Sequence, residues 1–387
     1  MKHVIINEKG TQRVLHRHPW VFRSDIVDAP TDHQPGAVIS VQNKKGQFLG
    51  QAFFNPLSQI SLRFLTNKDS SIDIQFLREK IRRSIHRRKA LNYSEDQGIR
   101  LIYGESDFLP GLIVDRYRDV LVFQTLCAGI DLKRELILKI IQEETNLTTL
   151  VERNDVSVRE LEGLLKQKGI VSGEIPQDLE VREGDNFFSV DPLEGQKTGL
   201  FLDQSENHVI ARRYASGRAL DIFTYQGGFA LPLSQSADEV TAVDSSAPAL
   251  KKMLSNAQRN QRKIIPVEAN GFDYLRELSD RGEKFDTIVL DPPPFMKSKK
   301  VKESAPAGYK EINLRAMKLL KPDGVLITAS CSQNFTPALF AATLHEAARD
   351  ARREIQILEV RGAASDHPVL MNFPESHYLQ CWIVQVI

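Results

Sequence analysis

The order of hydrophobic and polar residues divides the chain into three parts with different periods. The first part, residues 1–66, contains four short apolar runs separated by turn-forming residues. These runs are HVIIN, AVISVQN, QFLGQAFF and ISLRFLT. The pattern predicts a small all-β domain over residues 1–70.

The second part begins with a helical period over residues 72–93, in which Leu77, Ile81 and Ile85 share one face. The patterns that follow are three strands, RLIYG, GLIVDRY and VLVFQTL, and two helices, at 131–145 and near 157–168. A mixture of this kind predicts a central α/β domain over residues 71–188.

From about residue 190 onward, strand patterns alternate with helical patterns, which is typical of a parallel, doubly wound sheet. The predicted strands are 218–223, 239–243, 264–268, 285–290, 324–329, 355–360 and 378–386. We therefore predict an α/β domain over residues 189–387. Ligands of such sheets bind beyond the carboxyl ends of the strands, so the residues that follow each strand are the candidates for chemistry.

Composition narrows the class of protein. The 387 residues suffice for two or three domains, and 51 Lys and Arg against 50 Asp and Glu give a net charge of +1. The chain has no long apolar segment and begins without a secretion signal, so we expect a cytoplasmic protein with no membrane partner. Cys127, Cys331 and Cys381 are far apart, which excludes a disulfide framework and a cysteine-rich zinc site; no metal is predicted.

The positive charge is clustered in spite of the near-neutral total. Residues 78–89 contain seven Lys or Arg against Glu79 alone, and two further basic runs occur within residues 1–23 and 297–302. Each run could be a solvated face balanced by nearby acids. Three runs in different segments favour a polyanionic partner, with Arg82, Arg83 and Arg87 as candidate phosphate contacts.

Acidic residues and glycines follow the first two strands of the third domain. Asp221 begins a turn that contains Gly227 and Gly228, and Asp244 ends the next strand 23 residues later. This is about the offset at which an acid meets a ribose hydroxyl in nucleotide-binding folds, so the pair predicts an adenosine-containing cofactor. Asn270, after the third strand, could contact adenine or only form a turn. The G-x-G-x-x-G fingerprint is absent, which argues against a nicotinamide dehydrogenase.

The fourth strand runs into Asp291, Pro292, Pro293, Pro294 and Phe295. Consecutive prolines make the loop rigid and leave its carbonyls available as acceptors. An acid that contacts the edge of a base and a phenyl ring that stacks on its face form a base-binding set, although proline-rich turns are also common as plain loops.

The fifth strand ends at Cys331, between Ser330 and Ser332. A thiol at this position would face the same cleft as Asp291, and a thiolate is a suitable nucleophile for covalent catalysis. We interpret Cys127 and Cys381, which lie within apolar strands, as small buried residues.

Taken together, these motifs resemble the bacterial 23S ribosomal RNA (cytosine-5)-methyltransferase family, which depends on S-adenosylmethionine. The resemblance runs nearly from end to end. The matching segments are HRHPWVF (16–22), NPLSQISLR (55–63), GESDFLPGLIVDRY (104–117), VERNDVSVRELEGL (151–164), GQKTGLFLDQ (195–204), DIFTYQGGF (221–229), LDPPPF (290–295), SCS (330–332) and DHPVLMNFPESHYL (366–379). It implies an RNA-binding PUA-like domain, a central accessory domain and a class I methyltransferase domain.

The resemblance also implies roles for individual residues. The cofactor set would be Phe201, Gln204, Phe223, Tyr225, Gly227, Asp244 and Asn270, in addition to Asp221. The chain departs from the family at Ser205-Glu206-Asn207-His208, where an arginine-rich turn is usual, and at Asn270, where an acid is frequent. These departures affect individual contacts and not the fold.

For the reaction, we expect the Cys331 thiolate to add to carbon 6 of a flipped or single-stranded cytosine while Asp291 holds the edge of the base. The substrate would be 23S ribosomal RNA or a large-subunit precursor. The sequence is also compatible with a homodimer. Two other functions compete with this one. Nitrogen methylation of a guanine would leave Cys331 idle, and a non-catalytic ribosome-assembly factor would need only the RNA-binding parts.

Overall fold

The structure is a computed structural model that describes residues 3–294, 305–332 and 335–387. The chain forms two compact units. The first comprises Met1–Val181, Val190–Leu202 and Ser365–Ser376, and the second comprises Arg182–Ser189, Asp203–Ala364 and His377–Ile387. Strands β12 (Glu180–Glu183) and β13 (Asn186–Ser189) form a short hairpin where the chain passes from the first unit to the second. The division into three domains stays a prediction.

The first unit begins with the predicted β-rich domain, a six-stranded sheet in the order β2-β6-β5-β4-β1-β3. Its strands are β1 (His3–Ile6), β2 (Trp20–Val21), β3 (Ile26–Asp28), β4 (Ala37–Asn43), β5 (Phe48–Phe54) and β6 (Leu62–Thr66). One helix, α1 (Glu8–Leu15), was not predicted. It begins after Asn7, whose side chain accepts the N–H of Gly10 over 2.8 Å, a common N-terminal cap.

A second sheet of the first unit has the order β11-β10-β9-β8-β7. Its strands are β7 (Gly98–Tyr103), β8 (Leu112–Tyr117), β9 (Val120–Thr125), β10 (Thr149–Asn154) and β11 (Gln167–Ser172), and its helices are α2 (Ile74–Lys89), α3 (Ala128–Leu132) and α4 (Arg134–Thr145). The predicted apolar face of α2 is confirmed, because Leu77, Ile81 and Ile85 are all buried in the core of this unit.

The helix expected near residues 157–168 is wrong. The segment forms a short 3₁₀ helix, Ser157–Glu162, then a left-handed turn at Gly163 with φ +74°, and then enters β11. Leu161 and Leu165, two apolar residues of this segment, are 70% and 78% exposed. Because these two side chains stay exposed, hydrophobic burial does not stabilise a longer helix in this segment.

The second unit contains one seven-stranded sheet in the order β16-β15-β14-β17-β18-β20-β19. Its strands are β14 (Arg218–Ile222), β15 (Glu239–Asp244), β16 (Ile265–Glu268), β17 (Phe285–Leu290), β18 (Leu320–Ser330), β19 (Ile355–Arg361) and β20 (Gln380–Val386). All seven strands predicted for the last domain are present. The sheet is parallel from β16 to β18, and β20 runs antiparallel to both of its neighbours.

The helices of the second unit are α5 (Ser205–Ala211), α6 (Ala230–Leu233), α7 (Ala247–Arg259), α8 (Gly271–Asp280), α9 (Ala305–Leu319) and α10 (Pro337–Ala351). Leu220, Ile288 and Leu326, on three adjacent strands, form a buried core with Tyr309 of α9 and Phe340 of α10. Because β14, β15, β17 and β18 are parallel, the residues that follow them lie along one edge of the sheet.

Within the described residues, the structure contains no helix that is both long enough and apolar enough to cross a membrane.

Candidate active site

The turn after β14 has an unusual backbone. Phe223 and Tyr225 adopt left-handed conformations with φ +71° and +50°, and Gly227 has φ +89°. The backbone N–H groups of Phe223 and Thr224 both donate to the carbonyl of Val243, over 2.9 and 3.0 Å, so the turn is fastened to the end of β15. Non-glycine residues in this region cost free energy and occur most often where a backbone must approach a ligand.

Asp244 holds the same turn through its side chain. Its carboxylate accepts the backbone N–H of Tyr225 over 2.8 Å and that of Ser246 over 2.9 Å, one on each oxygen. The side chain is partly exposed at the end of β15. A carboxylate oxygen accepts more than one hydrogen bond, so Asp244 still has the capacity to accept a pair of hydroxyl groups. The arrangement fits the predicted ribose contact.

Asp221 is completely buried at the end of β14. Its Oδ2 accepts the Thr224 hydroxyl over 2.6 Å, whereas its Oδ1 has no hydrogen-bond partner among the described residues. Burial raises the pKa of Asp221 to about 7, and the charge of Asp291 raises it further, against the lowering effects of the Thr224 hydroxyl, the charge of His208 and the backbone N–H of Ala230. A buried carboxylate oxygen of this kind would be satisfied by a cationic group such as the ammonium of S-adenosylmethionine.

Gln204 offers the complementary feature, a buried donor. Its Oε1 accepts the side-chain amide of Asn207 over 2.7 Å, but its Nε2 has no partner among the described residues. An amide N–H in this state suits a carboxylate ligand. The second unit therefore presents unsatisfied buried groups of both kinds that an amino-acid moiety requires, and these residues fit the predicted cofactor.

Asn270 has a structural role that the sequence left open. Its Oδ1 accepts the N–H groups of Phe272 and Asp273, over 3.0 and 3.4 Å, and so caps α8. The side chain is exposed, and its amide nitrogen is the atom that could reach adenine. The adenine contact stays a prediction.

Phe201 belongs to the first unit, unlike the other cofactor candidates. The ammonium of Lys197 lies 4.7 Å from the centre of its ring. The loop that precedes it is held by Thr198, whose hydroxyl bonds Asp115 over 2.5 Å and lies 3.0 Å from the hydroxyl of Tyr117. This part of the chain is therefore well anchored within its own unit.

The Asp291 loop and Cys331 follow the adjacent parallel strands β17 and β18. Asp291 is partly exposed and Pro292 is buried, while Phe295 lies outside the described residues. Cys331 is partly exposed, whereas Cys127 and Cys381 are buried, as expected. Burial raises the pKa of the Cys127 thiol to about 12 and raises that of Cys381 as well, so both thiols stay protonated.

Tyr309, on α9, is a site residue that the sequence analysis missed. It is fully buried, stacks on Phe335 at 4.6 Å between ring centres, and has its hydroxyl 3.1 Å from the hydroxyl of Ser332. Burial raises the pKa of Tyr309, against the lowering effect of its hydrogen bonds with Ser330 and Ser332. No motif surrounds Tyr309, so only the packing of α9 could identify it.

His208 is a second residue whose position the sequence did not indicate. It is buried, its Nδ1 lies 2.8 Å from Oε2 of Glu183, and its ring contacts Phe229 edge-on at 4.6 Å. Burial alone would lower the pKa of His208, but the carboxylate of Glu183 outweighs it, and the charges of Asp291 and Asp221 add to the increase.

The basic helix α2 differs from the expectation in its charge balance. Arg82, although 64% exposed, bonds both oxygens of Glu144, over 3.0 and 2.9 Å. Arg87 pairs with Asp107, while Arg83 is exposed. For Arg82 and Arg87 the structure favours the interpretation of a surface balanced by nearby acids. Their contact with phosphate stays a prediction.

The described residues contain no group of three or more His, Cys, Asp or Glu side chains that could hold a metal ion.

The sheet order, with its antiparallel β20, and the acids at the strand ends define a class I methyltransferase fold with a cofactor site for S-adenosylmethionine. Residues 167–369 match the S-adenosylmethionine-dependent methyltransferase family, and residues 4–67 match a PUA-like domain. The chain is 39% identical over 393 residues, 99% of each sequence, to the ribosomal RNA large subunit methyltransferase I of Tolumonas auensis. It belongs to this family of methyltransferases.

Two solved structures have the same fold over the whole chain. One is a Streptococcus mutans protein described as a SAM-dependent methyltransferase, with a TM-score of 0.85, 19% identity and 100% coverage of both chains. The other is described as a methyltransferase complexed with SAH and has a TM-score of 0.86 at 19% identity, again with 100% coverage of both chains. At this level of identity the two structures support the fold alone.

Proposed function

We propose that this protein transfers the methyl group of S-adenosylmethionine to carbon 5 of a cytosine in 23S ribosomal RNA, through a covalent adduct with Cys331. The relative from Tolumonas auensis supports ribosomal RNA as the substrate, and the PUA-like domain is in keeping with RNA binding. The observation that supports carbon 5 is the partly exposed thiol of Cys331, which directly follows β18, the parallel neighbour of the strand that leads into Asp291. This function implies a cytoplasmic location.

Carbon 5 of cytosine is a poor nucleophile, so the enzyme must first activate the ring with a nucleophile of its own. The Cys331 thiolate adds to carbon 6, and the electrons of the carbon 5–carbon 6 double bond become available at carbon 5. Asp291, in its protonated form, donates its proton to N3 as the thiolate adds, which neutralises the negative charge that develops there, and its other oxygen accepts a hydrogen bond from the amino group. S-adenosylmethionine, when bound, supplies an electrophilic methyl group. Removal of the carbon 5 proton then expels the thiolate and restores the aromatic ring.

Tyr309 acts in this scheme as a positioning residue. Its hydroxyl bonds Ser332, the residue next to Cys331, and its ring is fixed between Phe335 and the core of the second unit. A thiol that follows a strand end can point in several directions, and a bond to its neighbour restricts them. Tyr309 and Ser332 therefore hold Cys331 toward the base bound by Asp291.

The cofactor would be held by the turn after β14 and by the residues around it. Phe223, Tyr225 and Gly227 shape the turn, Asp244 accepts the ribose hydroxyls, and Asn270 approaches adenine. Asp221 and Gln204 receive the ammonium and carboxylate of the methionine part, and Phe201 stays a prediction from the family resemblance alone. The unsatisfied atoms of Asp221 and Gln204 are the observation that favours this placement.

The test compares ribosomal RNA by mass spectrometry from cells that contain the protein and from cells that lack it. The cells that lack it are then complemented with the wild type or with Cys331→Ala. The proposal predicts a 5-methylcytosine that is absent without the protein and restored only by the wild type. The buried Cys381→Ala serves as the matched control and should restore it. A missing methyl group on a guanine nitrogen, restored by Cys331→Ala, would replace this proposal with nitrogen methylation. No change in any base would favour a non-catalytic assembly factor.

A further inference from the structure

A groove with a positively charged lining lies within the first unit, between α2 and the 3₁₀ turn Gly104–Asp107. Its cavity volume is about 320 Å³. The side chains that line it are Lys80, Arg83, Ser84, His86, Arg87, Asp107 and Phe108. We call it the α2 groove. It is large enough to accept a planar group together with part of a chain.

Phe108 is the exceptional residue of this groove. It adopts a left-handed backbone with φ +59°, and 45% of the residue is exposed. A bulky side chain in this conformation costs free energy that glycine would not. Phe108 thus presents part of an aromatic ring to solvent beside the cations that line the groove.

The charges around Phe108 indicate which ligand. The ammonium of Lys80 lies 4.9 Å from the centre of the Phe76 ring and 5.3 Å from that of Phe108. Burial lowers the pKa of Lys80 to about 8, and the neighbouring charge of Arg83 contributes to the decrease, whereas Glu79 opposes it. Uncompensated positive charge is therefore present in the α2 groove at neutral pH.

The acid in the groove does not cancel this charge. The Asp107 carboxylate bonds Arg88 over 2.7 Å and also pairs with Arg87, and its second oxygen accepts the N–H of Tyr103 over 2.7 Å. Two guanidinium groups thus surround one carboxylate. Lys80 and the exposed Arg83 add two further cations to the lining.

We propose that the α2 groove binds an unpaired nucleotide of the RNA substrate, with its base stacked on Phe108 and its flanking phosphates on Arg83 and Lys80. An aromatic face beside a row of cations matches the two chemical features of single-stranded nucleic acid, a planar base and a negative backbone. An acidic peptide would use the cations but not the exposed ring. The inference rests on the proposed function only for the identity of the polymer as RNA.

The decisive variant is Phe108→Gly in the full-length protein. Glycine relieves the left-handed strain, so its thermal stability should equal or exceed that of the wild type. Its affinity for a single-stranded RNA of about 12 nucleotides, measured by fluorescence anisotropy without cofactor, should fall about tenfold or more. Leu165→Ala removes an apolar side chain of the same unit that is even more exposed, 78% against 45%, and should leave RNA affinity unchanged.

Phe108→Trp gives a positive readout. It should retain RNA binding, and the indole fluorescence should be quenched by the single-stranded RNA more than by a duplex of equal length, because only unpaired bases stack on it. For the phosphates, Arg83→Ala should reduce both the affinity and its dependence on salt, whereas Lys139→Ala on α4 changes the net charge equally and should have no effect.

Wild-type RNA affinity in Phe108→Gly would overturn the inference. So would an acidic peptide of matched charge that binds the wild type as tightly as RNA does, with the same loss in Arg83→Ala, since that would assign the groove to a protein partner. Because binding is measured without methyl transfer, a failure of the proposed cytosine chemistry would leave this result unchanged.

Discussion

Asp244 and Tyr225 are joined by a hydrogen bond of 2.8 Å from the backbone N–H of Tyr225 to the Asp244 carboxylate. The acid at the end of β15 therefore fixes the left-handed turn that follows β14. This bond links two cofactor candidates 19 residues apart, and it explains how a turn without the usual G-x-G-x-x-G glycines keeps its shape.

Asp244→Ala should weaken binding of S-adenosylmethionine by about tenfold or more. The change removes the ribose acceptor, worth about 1.5–3 kcal/mol as a charge-assisted bond, and it also releases the turn. Isothermal titration calorimetry measures the affinity directly. Glu239→Ala, at the exposed start of the same strand, is the matched control and should bind the cofactor normally. Equal affinities for both variants would exclude Asp244 from the site.

Binding of S-adenosylmethionine should release protons near neutral pH. Because burial raises the pKa of Asp221 to about 7, part of the free protein is protonated there, and the cofactor's ammonium favours the ionised carboxylate. Affinity should therefore increase as the pH rises through about 7. Calorimetry in buffers of different ionisation enthalpy measures the released protons. Asp221→Asn cannot ionise, so a proton release that persists in this variant would contradict the assignment.

The same raised pKa affects stability without cofactor. A folded-state pKa above the ordinary value of 3.8 means that the folded protein binds this proton more tightly than the unfolded chain does. The contribution of Asp221 to the unfolding free energy is therefore full below about pH 4 and is lost as the pH rises toward 7. Denaturant unfolding at several pH values should show this slope in the wild type and a flatter one in Asp221→Asn. If the unfolding free energy had the same pH slope in the wild type and in Asp221→Asn, another group would be responsible for it.

Tyr309→Phe should slow methyl transfer while S-adenosylmethionine affinity stays normal. The variant retains the stack on Phe335 but loses the hydroxyl that bonds Ser332, at a stability cost of about 0.5–1.5 kcal/mol. Single-turnover kinetics with saturating RNA isolates the chemical step. Tyr274→Phe, on α8 of the same unit, is the control and should react at the wild-type rate. A normal rate in Tyr309→Phe would remove the positioning role.

The arginines of α2 should differ in their effect on RNA binding. Arg82 already bonds both oxygens of Glu144, so Arg82→Ala should change RNA affinity little. Arg83→Ala should lower the affinity and reduce the slope of its logarithm against salt by about 0.7 for one phosphate. If Arg82→Ala and Arg83→Ala lowered the RNA affinity equally, the proposed difference between the two arginines would be contradicted.

The strands of the methyltransferase sheet were predictable because their apolar runs are continuous and alternate with helices. Asp221, Asp244, Asp291 and Cys331 could be proposed as candidates because each lies at or just after the carboxyl end of a strand. What the sequence could not indicate depends on packing between distant residues. Tyr309 lies on a helix with no motif, and the partner of Arg82 is Glu144, 62 residues further along the chain. The 3₁₀ turn at Ser157–Glu162 was misread because apolar spacing alone does not show whether a core is present.

The most direct test of the central claim is the trapping of Cys331 by RNA that contains 5-fluorocytosine at the target position. Fluorine at carbon 5 cannot leave as a proton, so elimination should stall after methyl transfer. The account predicts a covalent protein–RNA adduct, visible in a denaturing gel and mapped by mass spectrometry to Cys331, in the wild type and in Cys381→Ala. Cys331→Ala should bind S-adenosylmethionine and form no adduct. Full methyl transfer by Cys331→Ala, with no adduct in the wild type, would contradict the cytosine-5 mechanism.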